Sequence, residues 1–119
     1  ILEISTDIKG DHLLVRLTGD LDMHTVPDFK EIVIPLMENK GLKNLILNFR
    51  NVEFIDSTGL GAILGRYRTL AKKNGNLYLI SLSPTVKRIF ELSGVLELIT
   101  VYNSEKEALK KIEGGTNLV

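Results

Sequence analysis

Short apolar runs alternate along this chain with stretches of 3.6-residue periodicity, and that alternation restricts the fold more than any other feature. Leu2–Ile8 and Leu13–Thr18 flank Lys9-Gly10-Asp11-His12, which predicts a hairpin. Val26, Phe29, Val33, Leu36 and Met37 then recur at helical spacing and stop at Gly41. Pro35 falls opposite that stripe, where its missing N–H leaves the Glu31 carbonyl to water. Leu45–Phe49 reads as a buried strand, with a helix expected after Asp56-Ser57-Thr58-Gly59. Leu77–Leu82 reads as another strand. Ser83 with Pro84 then supplies a helix start and Gly94 a stop. Leu98–Tyr102 is a fifth apolar run, and Ser104 with Glu107 forms a capping box ahead of Ala108, Leu109 and Ile112. The order β-β-α-β-α-β-α-β-α predicts an α/β fold with a mixed, mostly parallel sheet of four to five strands. Right-handed crossovers, about four helices and one antiparallel strand complete it.

At 119 residues the chain fits one domain, expected over residues 1–112, with a flexible C-terminal tail over 113–119. Fifteen Lys and Arg balance fifteen Asp and Glu. The excess cation that a nucleic-acid binder needs to displace counterions is therefore missing. A polybasic membrane contact is equally unsupported, and no apolar run approaches the ~20 residues of a membrane span. Zero cysteines exclude disulfides, thiolate metal sites and Cys nucleophiles. The absence of cysteine fits the cytoplasmic location expected here, and the N-terminus carries no signal-peptide pattern. The chain opens on Ile1, so the native start is expected to lie upstream.

In open α/β sheets, function gathers at the carboxyl ends of the strands. Two such ends stand out here, Gly19-Asp20-Leu21-Asp22 and Asp56-Ser57-Thr58-Gly59-Leu60-Gly61. Asp56, Ser57 and Thr58 are all able helix caps, and one of them is enough. Past the cap, Leu60, Ile63, Leu64, Tyr67, Leu70 and Ala71 form one apolar stripe. Gly61 and Gly65 fall on the far side with Arg68 and Lys72. Each exposed helical Gly costs roughly 0.8–1 kcal/mol relative to Ala. Packing on the sheet does not account for glycines on the opposite face. Either a neighbouring helix fills that space or another molecule approaches the bare backbone. A phosphate on Ser57 would meet unpaired N–H groups and the positive end of the helix dipole. The fold can thus carry ~−1.5 to −2 of new charge there, although Asp56 and Asp22 oppose it.

Three other chemistries are weighed against these residues. A hydrolase triad has only His12 and His24 to draw on, and Ile55 stands where a nucleophile elbow needs its first Gly. Gly59, Gly61 and Gly65 miss the dinucleotide spacing by one residue, and no P-loop Lys follows. A two-component receiver-like domain with Asp56 as phosphoacceptor is the remaining alternative. Against it, Leu98–Tyr102 ends without the Lys that chemistry needs, and the opening hairpin does not suit a doubly wound receiver.

Phe54-Ile55-Asp56-Ser57-Thr58-Gly59-Leu60-Gly61 resembles the phosphorylation-site motif of STAS domains, the anti-sigma factor antagonists of bacteria. Ala62-Ile63-Leu64-Gly65-Arg66-Tyr67-Arg68, Arg16-Leu17-Thr18-Gly19-Asp20-Leu21-Asp22 and Ser83-Pro84-Thr85-Val86-Lys87-Arg88-Ile89-Phe90 extend the likeness in the same order. The continuation after Gly61 looks specifically like that of the members from endospore-forming bacteria. The resemblance implies a switch protein without catalysis or a cofactor of its own. Its unphosphorylated form would bind an anti-sigma factor that is also a serine kinase with bound ATP or ADP, and so free the sigma factor. Phosphorylation at the position of Ser57 would end the complex, and a serine phosphatase would restore it. The resemblance places Asp22 beside that serine and in contact with the kinase. The expected partner surface comprises Asp22, Asp56, Ser57, Thr58, Gly59, Leu60, Gly61, Gly65 and Arg66. Three departures from the family pattern are Thr58 where Ser is usual, Asp20 where Glu is common, and Pro35 within the first helix. Thr58 is thereby a second candidate hydroxyl.

Overall fold

The computed structural model describes residues 1–117. Strands β1 (Glu3–Lys9) and β2 (His12–Thr18) form an antiparallel hairpin, followed by helix α1 (Val26–Asn39) and strand β3 (Asn44–Asn51). Helix α2 (Ser57–Lys72), strand β4 (Asn76–Ile80), helix α3 (Pro84–Ser93), strand β5 (Thr100–Tyr102) and helix α4 (Glu105–Asn117) complete the chain. The sheet order is β1-β2-β3-β4-β5, and every pair after the first is parallel. Each crossover moves one strand in the same direction, so right-handed connections put α1, α2 and α3 on one face.

Alternation along the strands divides the core. Leu13, Val15, Leu17, Leu45, Leu47 and Leu79 join the larger cluster, together with Phe29 of α1, Ile63 of α2 and Phe90 of α3. Leu14, Ile46 and Ile80 face the other way, against Ala108 of α4. Central β3 is covered on both sides, which is why Leu45-Ile46-Leu47 is a continuous apolar run. The helix ends follow their sequence signals. Ser83 accepts from the Val86 N–H, Ser104 accepts from the Glu107 N–H, and Gly94 closes α3 at φ +80°. Pro35 sits inside α1 and is exposed.

Three details differ from expectation. The run Leu98–Tyr102 is strand only from Thr100, because the Leu98 and Ile99 N–H groups are bonded back to the Val95 carbonyl of the preceding 3-10 turn, Val95–Glu97. Val95 and Ile99 are buried while Leu98 is exposed. On α2, Leu60, Ile63, Leu64, Tyr67 and Leu70 meet the core as expected, but Gly59 and Ala62 are buried beside them and Ala71 is exposed. Helix α4 continues to Asn117, past the expected boundary at Ile112, and the final residues of the expected tail lie outside the described residues.

Helix α4 is pinned at its start by charge. Glu105 accepts from Arg16 Nε at 2.7 Å and Nη2 at 2.9 Å, and Asn48 Nδ2 donates to the same carboxylate at 2.7 Å. One side chain thereby ties α4 to β2 and β3.

Candidate functional site

The site begins with a continuation of the β2–β3 ladder past the strand ends. The Leu21 N–H donates to the Phe54 carbonyl at 3.1 Å, and the Asp56 N–H donates to the Leu21 carbonyl at 3.3 Å. This parallel bridge of Leu21 with Ile55 locks the β2–α1 loop to the β3–α2 loop. Leu21 and Ile55 are fully buried. Beside them, Asp20 and Phe54 are exposed, while Asp22 and Asp56 are half-buried. Gly59 is required by the same junction. A Cβ there would lie 2.2 Å from the Leu21 carbonyl oxygen and 2.7 Å from Ile55 Cγ1.

Of the three able caps, Asp56 serves. Its Oδ1 accepts from the Gly59 N–H at 2.8 Å, and its Oδ2 accepts from the Met23 N–H at 2.9 Å. One carboxylate thus closes the first turn of α2 and holds the neighbouring loop. The Gly59 N–H is the largest cause of the depressed Asp56 pKa. The Met23 and Thr58 N–H groups and the nearby His24 add to it, while desolvation opposes. Asp56 therefore serves as a helix cap and loop clamp, a different role from that of a receiver-type phosphoacceptor. The sheet order, with its antiparallel first pair, is likewise not that of a doubly wound receiver.

Ser57 and Thr58 occupy the first two positions of α2, and both are exposed. At 100° per residue, Ser57, Gly61 and Arg68 fall in one outward row, with Gly65 on its flank. A Cβ at Gly61 or Gly65 would meet nothing within 4 Å. No neighbouring helix fills that space, and the bare face below Ser57 is open.

Asp22 is turned partly inward. Its Oδ1 accepts from the His24 N–H at 2.9 Å and the Thr25 N–H at 3.1 Å, while its carbonyl accepts from the Val26 N–H at 2.9 Å. Thr25, which is buried, donates from Oγ1 to the Asp20 carbonyl at 2.8 Å and accepts from the Asp22 N–H at 3.0 Å. This loop is therefore rigidly built before any partner arrives. The structure brings together Asp22, Asp56, Ser57, Thr58, Gly59 and Gly61. Leu60 is half-buried on a flank of α2. Arg66 lies two and a half turns down the helix, half-buried, where desolvation lowers its pKa against the opposing charge of Glu38 on α1. It belongs to the α1–α2 side of the helix and not to the Ser57 row.

Met23 and Phe54 also belong to this surface, at 62% and 47% exposure. The sequence carried a signal for Phe54, since it alternates with buried Ile55. His24 is exposed on the same loop. A cleft of about 490 Å³, lined among others by His12, Asn44, Tyr78 and Tyr102, opens at the opposite end of the sheet. Among the described residues, no group of His, Cys, Asp and Glu could hold a metal ion. No helix among them is long and apolar enough to cross a membrane.

A family model of the STAS domain matches residues 3–108. An anti-sigma F factor antagonist from Paenibacillus polymyxa is 32% identical over 112 residues, covering 94% of this chain and 96% of the relative. An anti-sigma-B factor antagonist from Staphylococcus epidermidis is 35% identical over 100 residues, covering 84% and 92%. Two solved structures of the Bacillus protein SpoIIAA are also similar. The unphosphorylated form is 26% identical with a TM-score of 0.76, covering 94% of this chain and 99% of the other. The phosphorylated form is 28% identical with a TM-score of 0.75, covering 92% and 99%.

Proposed function

Because the chain belongs to the STAS domain family, we propose that it is an anti-sigma factor antagonist switched by phosphorylation of Ser57. In this reading the unphosphorylated chain binds an anti-sigma factor that is also a serine kinase, and the sigma factor is released. The carrying observation is the exposed Ser57 hydroxyl at the first position of α2, on a turn already fixed by Asp56 to both Gly59 and Met23. A kinase meets a preformed acceptor, and little ordering entropy is lost on docking.

The same geometry explains why a phosphate ends the complex. The helix dipole favours an anion at the N-terminus, so the fold tolerates the group. Asp56 already occupies the Gly59 N–H, however, and Asp56 and Asp22 repel a second anion. The phosphate is directed outward, onto the surface that the partner would cover. Burying that charge unpaired costs at least ~3 kcal/mol, roughly a hundredfold or more in affinity. SpoIIAA structures in both phosphorylation states match this chain about equally, at TM-scores of 0.75 and 0.76, which supports a local switch.

The chain itself is assigned no catalysis. The kinase brings the nucleotide, a serine phosphatase removes the phosphate, and neither nucleic acid nor membrane takes part. Incubation with the anti-sigma kinase and ATP, followed by mass mapping, tests the assignment. One phosphate on Ser57 is expected. Modification confined to Thr58, or an acid-labile acyl phosphate on Asp56, would overturn it.

A further inference from the structure

We propose that Met23 and Phe54 are the apolar anchors that the anti-sigma factor grips, so that affinity and switching reside in different side chains of one surface. The proposal rests on the function proposed above. Seven large hydrophobic residues are exposed among the described residues: Ile1, Ile8, Met23, Ile32, Phe54, Leu92 and Leu98. Single exposed apolar residues are ordinary on any surface. Met23 and Phe54 differ from the other five because they sit on the two loops joined by the Leu21–Ile55 bridge, beside Asp22 and Asp56. Both are held at the backbone. The Met23 N–H is bonded to Asp56 Oδ2, and the Phe54 carbonyl accepts from the Leu21 N–H.

Such positions suit interface anchors. Large side chains on a fixed backbone lose little freedom when covered, and a few buried residues carry most of the energy of an interface. Neither side chain contributes to the core, so their exposure has no folding role to explain it. The Leu21–Ile55 bridge and the Met23 N–H bond to Asp56 hold both residues on the loops that flank the start of α2. The charge around them defines the partner's chemistry. Asp20, Asp22 and Asp56 lie on the same two bridged loops as Met23 and Phe54, and exposed Glu53 precedes Phe54. The complementary surface is an apolar patch rimmed by cationic side chains. Ser57 is exposed and directly follows Asp56, so a phosphate there would add to the acidic rim of these loops.

The test measures the dissociation constant of the full chain for the anti-sigma kinase with ADP, for wild type, Met23→Ala, Phe54→Ala and Leu92→Ala. Leu92 is the matched control, 72% exposed in the last turn of α3 and away from both loops. Met23→Ala and Phe54→Ala should each weaken binding about tenfold or more. Leu92→Ala should stay within twofold, and Met23→Leu should restore most of the affinity. Thermal melts of all four variants should remain close to wild type, which separates lost contact from lost fold. In kinase assays both anchor variants should raise KM for the chain and leave kcat near wild type. If wild type binds and both anchor variants stay within twofold of it, the anchors are wrong and the switch stands. If wild type itself does not bind, the underlying function is wrong.

Discussion

Asp56 acts at the scale of single atoms, with one oxygen on the Gly59 N–H and the other on the Met23 N–H. Replacing it with Asn keeps the shape and loses the charge-assisted bonds. The melting temperature should fall, and hydrogen exchange should accelerate at Met23 and Gly59 together, because one side chain protects both. Unchanged exchange at Met23 would mean that the loops are coupled without Asp56. The sign of its pH dependence follows from the depressed pKa. The stabilisation is complete above the unfolded carboxylate range near pH ~4 and is lost as pH falls through the folded value. The turn is therefore intact at neutral pH. Gly59→Ala attacks the same junction by volume. A methyl group 2.2 Å from the Leu21 carbonyl must push the two loops apart, at a cost of ~1–3 kcal/mol in denaturant melts. The cap was legible in the sequence as a choice among Asp56, Ser57 and Thr58. Its second bond, to Met23, was not, because that partner is 33 residues away and becomes a neighbour only through the Leu21–Ile55 bridge.

Helix α2 gives up stability along the face that runs below Ser57. Gly61 and Gly65 have ordinary helical backbone and open space around the missing Cβ. Gly61→Ala and Gly65→Ala should therefore each stabilise the isolated chain by roughly 0.5–1 kcal/mol in urea titration. The same substitutions should weaken the complex, since the added methyl groups stand between the helix and its partner. Stabilisation without any loss of binding would remove these glycines from the docking surface. Helical periodicity located α2, its solvent face and most of its core stripe, but it missed Gly59 and Ala62. Gly59 and Ala62 carry too little apolar surface to register in a stripe, yet they sit closest to the neighbouring elements, and Ala71 turns outward in consequence. The fifth apolar run misled for a related reason. A short run has no period of its own, so Ile99 could be buried from a turn as readily as from a strand.

Over the whole molecule, the hairpin, the parallel order and the four helices were all written in the alternation of apolar runs, because each element must bury one face. The polar links between layers were not. Arg16, Asn48 and Glu105 lie far apart in the chain and meet only when α4 closes the second face of the sheet. Hydrogen bonds from Arg16 are the first cause of the depressed Glu105 pKa, and burial opposes them. That stabilisation, too, is full above pH ~4.3 and declines as pH drops through the folded value. With the Arg16 side chain 42% and the Glu105 side chain 26% exposed, the pair contributes no more than ~1 kcal/mol. Glu105→Gln should lower the unfolding free energy from urea titration at pH 7 by up to that amount and flatten its acid dependence, leaving the Asp56 share in place. The formal net charge is zero. Against that balance, the ~−1.5 to −2 that a phosphate on Ser57 would add is a large local change.

Affinity of the anti-sigma kinase for Ser57→Ala and Ser57→Asp, measured side by side with ADP present, tests this switch most directly. Ser57→Ala should bind within a few-fold of wild type, and Ser57→Asp should lose a hundredfold or more. Equal binding by the two variants would contradict the account.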